Sequence, residues 1–336
     1  MIKTLTSWRG IFALCIVCFH FAMHEFDQMA FAGVTFFFII SGFLVALRHE
    51  SLESTKQYYL RRVWRIFPLH WLALIAMIAL DLVMIHKFHY GWDLPLHVAL
   101  LQSWVPNVEV YYNYSIHSWF LSSLLFAIIA TPLLLRFINT TNRKVTWAIV
   151  ITACLAVTVL YLLASEKLFS FYHVFPPMRL VDYTLGMMLG ATMRTRTKTQ
   201  HVSPASASAI EVAALLIFAA FIALHASGNQ LALRLGNAPL WWIPVALLIV
   251  TFTALDGNEG IVGKLLTIRP LVWLGEISFE IYILQKLVNN IFCYLVAPFF
   301  GHYGIMIYDY SFACTLPLLI IIAWAAHQLT KTIKHN

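Results

Sequence analysis

The residues with the clearest chemical potential near the amino terminus are Arg9 and His20, which lie in one largely apolar segment. Because eleven positions separate them, an α-helix would place both side chains on one face, about 16 Å apart along its axis. A neutral imidazole can take a proton from an alcohol that attacks a carbonyl carbon, so His20 is a candidate general base. Ionisable residues at membrane depth usually face a cavity or a partner, which favours this interpretation. The alternative is an arginine that orients its helix and a histidine that hydrogen-bonds to a neighbouring helix.

A second histidine follows four positions later, and the pair His20 and His24 could bind zinc from one helix face. No third ligand is evident nearby in the sequence, so we expect no metal. The five cysteines lie in or beside apolar runs, without the spacing of a disulfide framework or a zinc site, and we expect them to pack as small hydrophobic residues. Cys15 and Cys18 lie near His20 in the sequence but are poor candidates for a covalent nucleophile.

A basic run at Arg61, Arg62 and Arg65 forms the second constellation. A guanidinium group binds phosphate oxygens through two parallel donors, so arginines beside a membrane cavity could hold the phosphates of a nucleotide-bearing donor such as coenzyme A. The same run could instead contact anionic lipid headgroups. After the aromatic run Phe36-Phe37-Phe38, the segment Ser41-Gly42-Phe43 could contribute to a site, although close packing of Gly42 against the first helix explains it equally well.

Three acidic residues, Asp182, Glu276 and Glu280, lie within or at the ends of apolar segments. Glu276 and Glu280 are four positions apart and would share one face of a continuous helix. These carboxylates could orient the candidate base or contact a substrate. They could equally pair with Lys286 or Arg179 and stabilise helix packing.

The composition is that of a membrane protein. Of the 336 residues, 61% are hydrophobic and 11% are charged, whereas soluble domains are about 45–50% apolar and about 25% charged. The apolar runs leave no room for a separate soluble domain, so we expect one polytopic domain over residues 1–336. The net charge of +7 lies in short loops, where it orients a membrane protein, and we expect no nucleic-acid partner.

Ten segments approach the roughly 20 apolar residues that a spanning helix needs, which predicts an all-α integral membrane protein of about ten transmembrane helices. Two of these spans are short and carry glycines that predict close helix contacts, Gly33 and Gly42 in one, Gly186 and Gly190 in the other. The predicted spans are 8–29, 31–47, 67–86, 115–136, 145–164, 178–193, 206–226, 239–256, 271–297 and 310–328.

Lysine and arginine set the predicted orientation. With the amino terminus in the cytoplasm, 17 of the 22 Lys and Arg residues fall on the cytoplasmic side, so we expect both termini there. The second half of the basic, aromatic loop 48–66 predicts an amphipathic helix lying along the inner surface. In the long outer segment 88–114, residues 95–104 predict a short re-entrant or interfacial helix over the outer face.

Several segments, taken in order, resemble the membrane acyltransferase family known as acyltransferase type 3. The family's patterns are Arg-x10-His, aromatic-Ser-Gly-Phe and Arg-x-x-Arg-Ile-x-Pro. They are matched by Arg9-Gly10 with His20, by Phe36-Phe37-Phe38-Ile39-Ile40-Ser41-Gly42-Phe43-Leu44, and by Arg62-Val63-Trp64-Arg65-Ile66-Phe67-Pro68. Further similar segments are Ser118-Trp119-Phe120-Leu121, Arg179-Leu180-Val181-Asp182-Tyr183 with Leu185-Gly186, and Leu274-Gly275-Glu276-Ile277-Ser278-Phe279-Glu280-Ile281-Tyr282. Their joint order makes the resemblance specific over roughly residues 5–290.

The resemblance implies transfer of an acyl group, usually acetyl, from a cytosolic acyl donor to a hydroxyl of a sugar or other acceptor, often a cell-envelope glycan. It implies catalytic importance for Arg9 and His20, and importance for the arginines of the Arg-x-x-Arg pattern. The chain departs from the family pattern at Leu124, where many relatives carry glutamate, and at Gln285, where many carry histidine. Because the chain ends shortly after the last predicted span, we expect the stand-alone form, without the extracytoplasmic hydrolase-like domain of some members.

The expected function is therefore O-acyl transfer across a bacterial cytoplasmic (inner) membrane. Acyl-coenzyme A, with acetyl as the expected acyl group, would bind at the inner face, and a sugar or glycan acceptor, lipid-linked in one version, would enter from the outer side. The alternative is a transporter or flippase for a lipid-linked sugar, which polytopic helices with buried charges also fit. The residues expected to act are His20 as base with Arg9, then Arg61, Arg62 and Arg65 on the donor, and Ser41, Trp119, Asp182, Glu276 and Glu280 as acceptor or supporting residues.

Overall fold

The computed structural model describes residues 2–21, 23–48, 54–84, 91–195, 202–302 and 311–335. Within these ranges the regular structure is helical, with no β-strand. The α-helices are α1 Lys3–His20, α2 Asp27–Arg48, α3 Thr55–Met84, α4 Leu94–Val98, α5 Val108–Tyr111, α6 Ser118–Thr140, α7 Arg143–Leu163, α8 Glu166–Val174, α9 Pro176–Arg194, α10 Pro204–Ala226, α11 Gln230–Leu235, α12 Pro239–Ala254, α13 Ile261–Leu266, α14 Arg269–Glu276, α15 Ser278–Ile291, α16 Ala297–His302 and α17 Ser311–His335.

The described chain has seven helical segments long and apolar enough to cross a membrane. This confirms an all-α, multi-pass membrane protein. The count of ten stays a prediction, because the other three predicted spans fall on α1, α9 and α12, which are not among these seven segments. Helix α12 is apolar but short, and α1 and α9 carry ionisable side chains inside the bundle. The seven segments are Asp27–Arg48, Thr55–Met84, Ser118–Thr140, Arg143–Leu163, Pro204–Ala226, Ser278–Phe299 and Phe312–Lys331.

The carboxyl-terminal boundary of the first predicted span, 8–29, is wrong. Helix α1 stops at His20, and a separate 3-10 turn, His24–Phe26, leads into α2 at Asp27. The polar residues after His20 end the apolar run, and Asp27 begins a new helix where a carboxylate favours the positive end of the helix dipole. His20 therefore lies at the last turn of its helix, and the backbone of His24 does not continue that helix.

The boundary predicted near residue 67 is also wrong. The surface helix expected in the second half of 48–66 and the span expected at 67–86 form one continuous helix, α3, with Pro68 inside it. A proline removes one backbone hydrogen bond, but membrane helices tolerate this loss where neighbouring groups compensate. The basic run that begins at Arg61 thus lies on the same rigid element as the apolar residues that follow.

Helices α14 and α15 replace the single predicted span 271–297. The break falls at Ile277, whose φ of −92° and ψ of 5° are not helical. Beside the break, the Ser278 hydroxyl donates to the Gly275 carbonyl at 2.8 Å. Glu276 and Glu280 therefore lie on different helices, so the prediction that they share one helix face is wrong.

Glycines bring the central helices into close contact, as predicted. Gly186 and Gly190 of α9 lie against backbone carbonyls of α2. Gly42 of α2 lies against the Tyr183 carbonyl of α9, so the prediction that it packs against the first helix is wrong. A side chain at any of these positions would collide with backbone that cannot move aside. Helix α1 crosses α14 in the same way, through Gly275 against the Thr6 carbonyl. These crossings fix the central helices α1, α2, α9 and α14 relative to one another.

A polar cap covers the start of α6. It contains α4 and a 3-10 turn at Gln102–Trp104, which confirms short helical structure within 95–104. Gln102 and Ser103 are fully buried; the Gln102 amide donates to the Ser118 hydroxyl at 3.0 Å, and the Ser103 hydroxyl donates to the Trp119 carbonyl at 3.2 Å. The cap therefore holds the residues just before and at the beginning of α6.

Tyr114 ties this cap together from an unusual backbone conformation. Its φ of +52° lies in the left-handed region, which is unfavourable for a residue with a side chain. The phenol donates to Asp93 at 2.5 Å and accepts from the Gly91 N–H at 2.8 Å. Burial and the Asp93 carboxylate raise the pKa of Tyr114 to about 12, so the phenol stays a donor at physiological pH.

Arg9, near the start of α1, and His327, near the end of α17, lie at the same end of the bundle. His327, near the end of α17, bonds to Glu280 at the start of α15, and the charge of Glu280 acts on Arg9 near the start of α1. We call this the terminal end. His20 and the polar cap lie at the opposite end, because α1 runs away from Arg9 for three turns before it stops.

Candidate active site

His20 is exposed at the last turn of α1, and its ring lies against the ring of His117. The ring centroids are 4.0 Å apart, and the planes are nearly perpendicular at 82°. His117 is the residue just before α6 and is held there by the Tyr282 hydroxyl, which donates to its backbone carbonyl at 3.0 Å. The structure thus places a second imidazole beside the predicted base.

His117 was not among the residues predicted from the sequence, although it immediately precedes the segment Ser118-Trp119-Phe120-Leu121. Its side chain is buried, and neither ring nitrogen has a hydrogen-bond partner in the described chain. A histidine near the start of an apolar segment that also resembles the family is the signal from which His117 could have been predicted.

Lys286 of α15 completes this group. Its side chain is half-buried, and its charge acts on both His20 and His117. Among the residues that the structure describes, none makes a hydrogen bond or ion pair with the Lys286 ammonium group. The predicted alternative, in which Glu276 or Glu280 pairs with Lys286, is therefore wrong. We call His20, His117 and Lys286 the histidine cluster.

A second cluster lies at the terminal end, about three helical turns from His20. The charges of Arg65, Glu280 and Arg48 act on Arg9, and those of Arg62, Glu280 and Arg48 act on Arg65. Arg9, Arg62 and Arg65 thus lie at the same end of the bundle, although spacing within the sequence related only Arg62 to Arg65. We call these three residues and Arg48 the arginine cluster. Arg61 is exposed on α3 beside it.

Among the residues that the structure describes, the carboxylate whose charge acts on Arg9 and Arg65 is that of Glu280. Glu280 Oε1 bonds to His327 Nδ1 at 2.8 Å, while its Oε2 is buried and lacks a hydrogen-bond partner in the described residues. Arg65 lies over the Phe279 ring at 5.7 Å, and Arg62 over the Tyr58 ring at 5.3 Å. Guanidinium groups placed near one another in this way can bind the phosphate oxygens of a polyanion. His327 was not among the residues predicted from the sequence.

Asp182 belongs to a closed network apart from both clusters. One carboxylate oxygen accepts from Arg179 at 3.0 Å and the other from the Trp242 indole. Arg179, fully buried, also donates to the carbonyls of His173, at 2.6 Å, and Asn237, at 2.9 Å. The ion pair of Asp182 with Arg179 is the structural alternative that the sequence left open for this carboxylate. The alternative in which Arg179 pairs with Glu276 or Glu280 is wrong.

Trp119 lies against this network. Its indole ring is buried. The ring centroid lies 5.6 Å from Cζ of Arg179 and 4.6 Å from the ring centroid of His173. Trp119 directly follows Ser118 in α6, so the network and the cap both fix the start of the helix that His117 precedes. Its position supports the site rather than facing His20 directly.

The remaining predicted residues are spread through the bundle. Ser41 is half-buried, and its hydroxyl donates to the Phe37 carbonyl of its own helix at 2.6 Å. Glu276 is half-buried at the end of α14. Leu124 is buried in the core, and the Gln285 amide is buried and donates to the Tyr282 carbonyl at 3.0 Å. In the described part of the chain, no three His, Cys, Asp or Glu side chains are grouped as metal ligands.

Comparison with known proteins identifies the family to which the chain belongs. A family model described as an acyltransferase domain, acyltransferase type 3, matches residues 2–327. The chain is 26% identical to "Acyltransferase MdmB" of Streptomyces mycarofaciens, over 85% of this chain and 79% of that protein. It is 22% identical to "Putative acetyltransferase ORF330" of Acidianus two-tailed virus, over 85% of this chain and 83% of that one. No solved structure matches the chain significantly. Because the family model covers nearly the whole sequence, the chain belongs to the acyltransferase type 3 family and is a membrane acyltransferase.

Proposed function

We propose that the enzyme transfers an acetyl group from acetyl-coenzyme A to a hydroxyl of a cell-envelope sugar or glycan, free or lipid-linked. The terminal end faces the cytoplasm of a bacterial cell in this proposal, so both chain ends lie inside and the acceptor arrives from outside. The observation that carries the proposal is that α1 links two unlike clusters. An arginine cluster suited to phosphates lies near its start, and an imidazole lies at its end.

The distance between the clusters suits a long, forked donor. Arg9 and His20 are about 16 Å apart along α1. Coenzyme A carries its phosphates on the nucleotide and its thioester at the far end of a flexible pantetheine arm. Phosphates on Arg9, Arg62 and Arg65 would therefore leave the thioester free to reach His20 through the bundle. Guanidinium groups recognise phosphate through paired donors, and among the described residues neither Arg9 nor Arg65 forms an ion pair with a carboxylate.

The chemistry at His20 is direct transfer. His20 takes the proton of the acceptor hydroxyl as the hydroxyl oxygen attacks the thioester carbon. The carbon–oxygen bond forms, the carbon–sulfur bond breaks, and the coenzyme A thiolate recovers the proton from the His20 imidazolium. His20 is exposed at the end of α1, so an acceptor hydroxyl can reach its ring.

The proposal is tested by release of free thiol from acetyl-coenzyme A by the purified protein. Wild-type protein supplied with candidate sugar acceptors should release one thiol for each ester formed. Binding of acetyl-coenzyme A without thiol release would overturn transfer and favour the transporter or flippase alternative.

Arg65→Ala is expected to weaken donor binding more than it slows chemistry. A lost charge-assisted hydrogen bond costs about 1.5–3 kcal/mol, so the apparent KM for acetyl-coenzyme A should rise about 10- to 100-fold, with kcat little changed. Arg62→Ala should act in the same direction. Arg65→Lys should rescue poorly, because ammonium cannot form the paired contact. Steady-state kinetics with varied donor measure both constants.

The matched control is Arg136→Ala, which removes an exposed arginine near the end of α6, outside the arginine cluster. Its KM should match that of the wild-type enzyme. Unchanged KM in both Arg62→Ala and Arg65→Ala would assign these arginines to lipid headgroups and remove the proposed donor site.

A further inference from the structure

His117 is an unusual histidine for a protein interior. It is 3% exposed, and neither its Nδ1 nor its Nε2 has a hydrogen-bond partner in the described chain. Buried polar atoms are normally paired, and unpaired ones in native structures call for an explanation such as a catalytic role. Other buried histidines follow the rule: His70 bonds to the His97 carbonyl at 2.8 Å, and His97 to the Val110 carbonyl at 2.9 Å.

The position of His117 supplies the explanation. Its ring touches the ring of His20, and the charge of Lys286 acts on both. Of the two imidazoles, His20 is exposed and can meet an acceptor hydroxyl, whereas His117 lies behind it in the bundle. An acyl group bound beside both rings would therefore lie close to the ring nitrogens of His117, which have no hydrogen-bond partner in the described chain.

We propose that His117 is a further catalytic residue, whose ring N–H donates a hydrogen bond to the acyl carbonyl oxygen during transfer. This inference rests on the proposed function and names the oxyanion-stabilising group that it needs. As the acceptor oxygen attacks, the electron pair of the C=O bond moves onto the carbonyl oxygen, which accepts from His117 and lies near the Lys286 ammonium group. The pair returns as the carbon–sulfur bond breaks. A donor already in place at the oxyanion lowers the barrier without moving.

The proposal makes stability and activity change in opposite directions. Replacing an unpaired buried polar group by an apolar one of similar size is nearly neutral or stabilising. His117→Leu should therefore unfold at the same temperature as wild-type protein or higher. The same change removes the N–H, so kcat should fall about 10²–10³-fold with little change in the donor KM. His117→Gln keeps an N–H donor and should lose about tenfold or less.

The matched control is His70→Leu, at a histidine that is equally buried but hydrogen-bonded. Its loss leaves the His97 carbonyl without this partner, so its unfolding temperature should fall while the rate per folded molecule stays close to wild type. The assay follows thiol release from acetyl-coenzyme A, with water and a set of methyl glycosides as acceptors. Thermal unfolding and binding of coenzyme A are measured on the same samples.

Equal kcat in His117→Leu and wild-type protein would overturn the inference, and so would equal loss in His117→Leu and His117→Gln, since only the second can donate. If His117→Leu does not fold, the comparison is made with His117→Met, whose flexible side chain fits irregular spaces. The two proposals fail separately. Absence of thiol release by the wild-type enzyme would sink the proposed function, whereas an active wild type with a fully active His117→Leu would sink only this inference.

Discussion

His20→Gln is expected to reduce acyl transfer by about 10²–10⁴-fold while the protein folds and binds acetyl-coenzyme A normally. Glutamine can keep a hydrogen bond but cannot take a proton near neutral pH. Because His20 is exposed at the end of α1, the change removes little buried contact. Initial rates of thiol release, with donor binding and thermal unfolding measured in parallel, separate lost chemistry from lost fold.

The control for this prediction is His97→Gln, the same change at a buried histidine of the cap whose ring bonds to the Val110 carbonyl. It should affect thermal stability more than the rate per folded molecule. Near-normal turnover in His20→Gln would contradict a base at this position. The proton acceptor would then be sought first at His117, whose ring adjoins His20, ahead of the carboxylates.

Asp182→Ala is expected to cost about 3–5 kcal/mol of stability, since it leaves the Arg179 charge buried without its carboxylate. Arg179 and Asp182 are both fully buried, and Asp182 also accepts from Trp242. The loss should appear as poor recovery of folded protein and a lower unfolding temperature in detergent. Activity should fall only in proportion to the folded fraction.

The double variant Arg179→Met/Asp182→Leu tests the cause of that loss. Replacing both charged partners by apolar residues removes the uncompensated charge, so it should be more stable than Asp182→Ala. An Asp182→Ala protein that is fully stable but inactive would contradict the structural role and return Asp182 to the candidate catalytic residues.

The residues that could be predicted from the sequence are those whose relation is local. Arg9 and His20 lie on one helix, so helical geometry alone relates them, and Arg62 and Arg65 are three positions apart on another. The glycine contacts were also predictable, because small residues in a membrane helix serve chiefly to allow close approach. Each of these inferences needs only the periodicity of one helix.

The residues that were missed meet others only through tertiary contacts. His117, which precedes α6, and His327 of α17 are far from α1 in the sequence. So is Lys286 of α15, which the sequence suggested only as a partner of Glu276 or Glu280. Nothing in the local pattern says that a histidine at the start of one helix will touch a histidine at the end of another. A single sequence therefore gave one imidazole of the pair, and the packing of the helices gave the second.

Helix breaks account for the other differences. A hydrophobic run of about the right length predicts one span whether or not the backbone is continuous. The break at Ile277 separates Glu276 from Glu280 and turns Glu280 towards His327. At Pro68 the error went the other way, since a residue that usually ends helices lies inside α3. Both cases are decided by tertiary packing rather than by local propensity.

The departures from the family pattern fall on buried positions. Leu124 packs in the hydrophobic core. Gln285, which directly precedes Lys286, donates its amide N–H to the Tyr282 carbonyl. Neither occupies the contact between His20 and His117. In the proposed mechanism these two residues therefore leave the base and the oxyanion donor unchanged.

The most direct measurement follows the acyl group itself. Purified enzyme in detergent is supplied with acetyl-coenzyme A labelled in the acetyl group, together with envelope glycans and lipid-linked sugars, and labelled base-labile ester and free thiol are quantified together. Acyl transfer by way of His20 predicts equal amounts of ester and thiol from the wild-type enzyme, and loss of both in His20→Gln protein that still binds coenzyme A. Equal ester formation by His20→Gln and wild-type enzyme, or donor binding with neither product, would contradict it.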